Sequence, residues 1–316
     1  MIEALKNKRI GVLLGGMSSE RPISLKTGHA IFAALKRMGY NAVEIDVSPR
    51  LAEDLKAEGV ELAFLALHGA FGEDGAVQGL LEVLGIPYTG SGVMASAVAM
   101  DKRVTKELLA FHGVSTAGWL ELNAATWNGE TPEISFGYPL VVKPVTEGST
   151  VGIHIVEEAR QLDEALRDSF QFGDRLLLEQ YVPGREVTVG ILDGQVLPVI
   201  EIRPHSGFFD FEAKYTVGQT DYLVPAPLDE AMTQTCQTLA LRTWQVVGCE
   251  GVARVDIRIR PDGACFVLEI NTIPGMTETS LIPKAARVTG LSFDDVCERI
   301  MASARLKIFR RKQNAA

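Results

Sequence analysis

One stretch of the chain, Arg254 to Asn271, limits what the rest can be. Polar and apolar side chains alternate on both sides of Asp262-Gly263, a dipeptide that favours a two-residue hairpin turn. With that turn, Asp256 faces Glu269 and Arg254 faces Asn271. Val255 then meets Ile270, Ile257 meets Leu268, and Ile259 meets Phe266. The second set is wholly apolar and belongs to a core. The first set puts four polar side chains on one face, because residues two apart on a strand share a face. Two carboxylates directly opposite each other repel. A cation between them removes the conflict. Asp, Glu and an Asn carbonyl are hard oxygen ligands, suited to Mg²⁺ rather than to zinc. The same face also reads as a solvated one, its acids paired with Arg254 and Arg258.

Upstream, strands alternate with helices. Ile10–Leu14, Ala42–Val47 and Leu62–Leu67 read as strands, and Ser18 or Ser19 as the cap of a helix running to about Met38. Such alternation implies a parallel sheet covered on both faces, with ligands beyond the carboxyl ends of its strands. Two loops sit there, Gly15 to Glu20 and His68 to Gly75. The middle section carries a strand at Pro139–Pro144, a loop from Thr146 to Gly152, a strand at Gly152–Val156, a helix near Arg160–Phe172 and a strand at Leu176–Val182. Pro183-Gly184 then marks a turn. Strands to Arg203, a polar aromatic loop (His205–Tyr222), a helix near Glu230–Val247, the hairpin and a terminal helix complete the chain. A length of 316 residues accommodates two or three domains. The expected division is 1–97, 98–183 and 184–316, α/β at first and α+β in the C-terminal part.

Charge narrows the function. Lys and Arg number 31 against 40 Asp and Glu, a net charge of −9, a poor match to nucleic acid. The four cysteines form no C-x-x-C pair, and they read as buried thiols. Met1–Arg9 lacks the apolar stretch of a signal peptide, and no run of about 18 apolar residues could span a membrane. A reduced, cytoplasmic protein is expected. Lys143 ends an apolar strand before a Gly-, Ser- and Thr-bearing loop. The backbone N–H groups of such a loop can cradle phosphate, although the segment also reads as a surface lysine and a plain turn. No Walker A pattern occurs. Gly90-Ser91-Gly92-Val93-Met94-Ala95 matches G-x-G-x-x-A, but it follows no clear strand and reads as chance.

Taken in order, these residues resemble a family. Leu13-Leu14-Gly15-Gly16 with Ser19-Glu20-Arg21 and Ser24-Leu25, Ala66-Leu67-His68-Gly69 with Gly72-Glu73-Asp74-Gly75, Tyr88-Thr89-Gly90-Ser91-Gly92 with Met100-Asp101-Lys102, and Val142-Lys143-Pro144 with Glu147-Gly148-Ser149 carry the first half. Ala213-Lys214-Tyr215, Arg254-Val255-Asp256, Leu268-Glu269-Ile270-Asn271-Thr272, Pro274-Gly275-Met276-Thr277 and Ser280-Leu281 carry the second. Single pieces are weak, but the ordered set is specific. The chain resembles the D-alanine–D-alanine ligases of the ATP-grasp superfamily along nearly its whole length. Ile273 departs from the small polar residue of many relatives.

The resemblance implies three domains. A Rossmann-like parallel-sheet domain carries the first-substrate loops, a central subdomain the phosphate loop and adenine hinge, and a C-terminal subdomain the metal site, lid and second-substrate site. It implies ATP as co-substrate and two Mg²⁺ ions, replaceable by Mn²⁺. Lys102 and Lys143 would contact the phosphates, under a loop carrying Ser149, and Glu147 would belong to the same ATP-binding set. Glu179, Tyr181 and Val182 would face adenine, and Glu186 the ribose. Asp256, Glu269 and Asn271 would be the metal ligands. Glu20, with His68 nearby, would take the first D-alanine's ammonium. Arg254 and the Gly275 N–H would form the oxyanion site. Ser280, with Leu281, would hold the second carboxylate, while Tyr215 and Lys214 belong to a lid. Each has a plainer reading: Glu20 as a helix-start acid, Ser280 as an N-cap, His68 and Tyr215 as loop residues, Lys102 and Lys214 as solvated charges. A homodimer serving peptidoglycan synthesis completes what the resemblance implies. The competing functions are a D-alanine–D-lactate ligase, disfavoured because ester-forming relatives lack a tyrosine at the position of Tyr215, a nucleotide-binding protein without turnover, and an NAD-dependent oxidoreductase.

Overall fold

The structure is a computed structural model describing residues 5–146, 148, 151–205 and 218–308. Glu147, Ser149, Lys214 and Tyr215 lie outside the described residues. The first of three sheets is parallel, in the order β2-β1-β3, from β1 (Ile10–Leu14), β2 (Ala42–Asp46) and β3 (Leu62–Leu65). Every residue of β1 and β3 is buried, as continuous apolar strands must be when helices cover both faces. Helices α1 (Arg21–Arg37) and α2 (Leu51–Ala57) make the two crossovers, followed by α3 (Ala76–Leu84) and α4 (Val93–Met100). Neither expected serine caps α1. Glu20 occupies the cap position without a capping hydrogen bond. The Ser18 hydroxyl instead donates to the His68 carbonyl at 2.6 Å, which ties the two loops together.

The second sheet is antiparallel, in the order β4-β7-β5-β6, from β4 (Trp119–Asn123), β5 (Leu140–Pro144), β6 (His154–Val156) and β7 (Arg175–Gln180). Helix α5 (Lys102–Phe111) precedes it. α6 (Leu162–Ser169), with a 3₁₀ turn at each end, packs Leu162 and Leu166 against Leu140, Val142 and Leu178. The third sheet has the order β11-β10-β8-β12-β13, with β9 beside β8. Its strands are β8 (Arg185–Leu192), β9 (Gln195–Val196), β10 (Ile200–Pro204), β11 (Thr220–Leu223), β12 (Val252–Ile259) and β13 (Cys265–Asn271). α7 (Glu230–Val247) covers it. Asp229 caps α7, and Cys236, Ala240, Thr243 and Val247 form its buried stripe at helical spacing.

The hairpin turn differs from expectation. Pro261, Asp262 and Gly263 form a three-residue loop: the Arg260 N–H donates to the Ala264 carbonyl at 2.8 Å, and the Gly263 N–H to Arg260 at 2.9 Å. Gly263 takes a positive φ of 88°, the left-handed position such a loop needs. The pairing therefore shifts, and Ile257 and Ile259 oppose Val267 and Cys265, not Leu268 and Phe266. A β-bulge next to Asp256 passes over Leu268 and reverses the shift. Asp256 thus does face Glu269, and Arg254 faces Asn271.

Two final helices, α8 (Leu281–Val288) and α9 (Phe293–Ala302), return the chain to its start. Val296, Cys297 and Ile300 share a core with Ile10, Ile31 and Leu35. The segment after α9 is docked on the first layer: Arg305 pairs antiparallel with Tyr88, and the Lys307 ammonium lies 5.3 Å from the centre of the Tyr88 ring. No helix among the described residues is long and apolar enough to cross a membrane, and all four cysteines are free and buried.

Candidate active site

The carboxyl end of the first sheet, the hairpin and the start of α8 surround one cleft of about 630 Å³. Glu20, His68, Lys102, Arg254, Glu269, Asn271, Gly275, Ser280 and Leu281 line it. The Glu20 carboxylate lies against two glycines. A Cβ on Gly69 would come 2.9 Å from its Oε2, and one on Gly148 3.0 Å. Glycine is what lets both loops approach this carboxylate. His68 is buried, with Nε2 3.1 Å from the Thr27 hydroxyl and Nδ1 4.0 Å from Glu73 Oε1. Glu73 also accepts the Gly69 N–H at 2.7 Å and lines the cleft. The sequence places Glu73 in this ligand-facing loop but assigns it no role.

On the hairpin face, Asp256 is buried. It accepts two hydrogen bonds from the Arg254 guanidinium, at 2.9 and 2.8 Å, and one from the Thr188 hydroxyl at 2.5 Å. Arg258 turns away from both acids, toward Glu186 at 3.7 Å and the Gly184 carbonyl at 3.1 Å, over the Tyr181 ring. Glu269 is half-buried and makes no hydrogen bond or ion pair among the described residues. The Asn271 Oδ1 accepts the Ile273 N–H at 3.0 Å and keeps a second lone pair. Mg²⁺ takes one or two carboxylates and completes its shell with water and phosphate oxygens. The donor set fits: hard oxygens only, on the wall of an open cleft, one carboxylate without a partner among the described residues.

A second cluster lies on the other sheet, outside the cleft lining. The buried Glu179 carboxylate accepts from the Lys143 ammonium at 2.5 Å and from the Lys106 ammonium. Lys106 also donates to the Thr116 hydroxyl at 2.6 Å and sits 5.4 Å from the centre of the Trp119 ring. Burial raises the Glu179 carboxyl, but the charges of Lys143 and Lys106 outweigh it and hold it below the usual carboxylate range. Lys106 went unnoticed in the sequence. Its signal was its place four residues after Lys102, on the face of α5 that also buries Thr105 and Leu109. Lys102 is buried at the start of α5, where its N–H donates to the Val145 carbonyl at 3.1 Å. Asp101 caps α5 and binds Arg175 at 2.8 Å. Tyr181 and buried Val182 link the second sheet to the third, and Glu186 pairs with Arg258 across β12.

Ser280 stands at the N-cap of α8 but does not cap it with its side chain. Its hydroxyl accepts the Thr277 N–H at 3.0 Å and lies 2.9 Å from the Thr277 hydroxyl. A Cβ on Gly275 would sit 3.4 Å from it, so the two residues are neighbours on the cleft wall. The glycines of the pattern at Gly90 and Gly92 meet distant parts of the chain. A Cβ on Gly92 would lie 3.1 Å from the Lys307 stem, and Gly90 lies against Gly251, so these glycines serve packing between distant parts of the chain.

A parallel-sheet layer followed by two antiparallel sheets, with lysines and hard oxygen ligands gathered on them, defines an ATP-grasp fold and an ATP-dependent ligase. Residues 47–91 match the family model for the D-ala D-ala ligase N-terminus, and residues 108–302 that for the C-terminus. The chain is 52% identical over 306 residues to the D-alanine–D-alanine ligase of Syntrophotalea carbinolica, covering 96% of this chain and 99% of that one. It is 49% identical to that of an Anaeromyxobacter species, with 95% and 98% covered. The crystal structure of D-alanine–D-alanine ligase from Bacillus anthracis superposes with a TM-score of 0.84 at 38% identity, covering 94% of this chain and 97% of that one. Its complex with ATP superposes at 0.82 and 36%, with the same coverage. The chain belongs to the D-alanine–D-alanine ligase family.

Proposed function

We propose that the chain joins two D-alanines into D-alanyl-D-alanine, consuming one ATP through a D-alanyl phosphate and releasing ADP and phosphate. One observation supports this above the rest. Glu20, Arg254, Glu269 and Ser280, from three separate parts of the chain, open onto a single cleft. The first D-alanine places its ammonium at Glu20, beside His68. Its carboxylate oxygen attacks the γ-phosphorus, the bond to the β-phosphate oxygen breaks, and ADP leaves. Lys102 and Lys143 hold phosphate oxygens, so positioning and charge do the catalytic work in this step. The neutral amine of the second D-alanine then attacks the acyl carbonyl. Arg254 and the Gly275 N–H meet the tetrahedral oxyanion, a role worth about 3 kcal/mol per donor in other enzymes. The carbonyl re-forms as phosphate departs, and the amine proton leaves with it.

Asp256, Glu269 and Asn271 would hold Mg²⁺, or Mn²⁺, which supplies charge neutralisation at the nucleotide's phosphate oxygens. Glu179, Tyr181 and Val182 would face adenine, and Glu186 the ribose. Glu147, Ser149, Lys214 and Tyr215 would close over the site and keep water from the acyl phosphate. Domains at 1–97, 98–183 and 184–316, a cytoplasmic homodimer and a role in supplying peptidoglycan precursors belong to the same proposal, on the family resemblance.

Phosphate release measured with ATP and Mg²⁺, with D-alanine, with L-alanine, and with neither, tests it. Release with D-alanine alone, accompanied by the dipeptide, is expected. Folded protein that binds ATP yet releases nothing with D-alanine would move the question to another carboxylate–amine pair.

A further inference from the structure

Lys284 lies one helical turn beyond Ser280 on α8. Residues four apart on a helix share a face, and both line the cleft. The Lys284 ammonium sits 4.0 Å from the centre of the Tyr222 ring, which lines the same wall. Lysine and tyrosine are both half-buried. Among the described residues Lys284 makes no hydrogen bond and no ion pair. Burial, and then the charge of Arg287, push its pKa below that of an ordinary lysine. An aromatic face satisfies an ammonium from one side. The three N–H donors still need acceptors, and a cation half out of water is best satisfied by an anion.

The two substrates bring few anions to this end of the cleft. The first D-alanine is anchored through its ammonium at Glu20, and its carboxylate is consumed in the acyl phosphate. The ATP phosphates belong with Lys102, Lys143 and the hairpin acids. What remains is a carboxylate that enters with the second substrate and persists in the product. We propose that Lys284 binds the carboxylate of the second D-alanine, alongside the Ser280 hydroxyl, and so turns its amine toward the acyl phosphate. This rests on the ligase reading above. No bond is made or broken at Lys284, so its effect falls on acceptor binding.

The test lets D-alanine and D-alaninamide, which lacks the carboxylate charge, compete as acceptors in one reaction. The ratio of dipeptide to dipeptide amide is measured in wild type, K284M and K284R, with KM values for ATP and for each D-alanine site. In K284M the ratio should fall about tenfold and the second-site KM should rise to match, while the KM for ATP and the first-site KM stay put. K284R, which keeps the charge, should restore most of the ratio. An unchanged ratio in K284M overturns the proposal, as does a rise confined to the KM for ATP. Wild type without D-alanine-dependent release would sink the ligase reading itself. Normal wild type with an indifferent K284M would sink Lys284 alone.

Discussion

Glu179 is one carboxylate between two ammonium groups, and their number decides its state. Burial alone would neutralise it, but Lys143 and Lys106 keep it ionised. Glu179→Ala leaves two buried cations facing each other, and should cost about 3–5 kcal/mol in urea unfolding. The pH dependence follows from the direction of the shift. A carboxyl held below its ordinary pKa contributes stability above that value and loses it as pH falls through the depressed one. Glu179→Gln should therefore flatten the acid side of a plot of urea midpoint against pH, and an unaltered slope would mean the cluster carries no such linkage. Glu269 sits at the other extreme, a carboxylate without a partner among the described residues. Glu269→Ala should lower D-alanine-dependent phosphate release by about 100-fold or more with folding intact. A normal rate would remove it from the metal set. At this scale the sequence was uneven. The pairing of Asp256 with Glu269 could be derived from alternation, whereas Lys106 acquires meaning from a partner 73 residues away.

The hairpin shows how an element can reach an expected arrangement by an unexpected route. A three-residue loop displaces the register by one, and the bulge at Leu268 displaces it back. Alternation reports which side chains share a face. It does not report where an extra residue is accommodated, because loop and bulge both depend on local twist. Helix α1 gives an element-scale prediction. Gly28 is buried where α1 crosses β1, and a Cβ there would come 2.3 Å from the Leu14 Cβ. Alanine would improve helix propensity by about 1 kcal/mol, but forcing α1 off β1 costs about 1–3 kcal/mol. Gly28→Ala should be destabilised overall in urea unfolding. It should also lose activity, because Glu20 stands at the N-cap of α1 and the helix carries Thr27. Greater stability than wild type would show that the layer gives way freely.

Across the whole molecule, α3 of the first layer is fastened to the segment after α9. Buried Glu82 on α3 accepts the Tyr88 hydroxyl at 2.9 Å and the backbone N–H groups of Lys307 and Ile308 at 2.6 and 3.3 Å. Glu82→Ala strands those three donors and should lower stability by at least about 2 kcal/mol. Thermal unfolding would read this, and an unchanged midpoint would show that the tail contributes nothing to the fold. The sequence by itself determined the alternating first sheet, the apolar and polar faces of the hairpin and the order of the family's motifs, because periodicity and turn chemistry are local. The tertiary structure alone decided that Lys106 holds Glu179, that Asp256 is clasped by Arg254, that Lys284 meets Tyr222 on the cleft wall and that the segment after α9 returns to Tyr88. Those facts depend on which surfaces meet when three sheets pack, and no local pattern along the chain encodes that meeting.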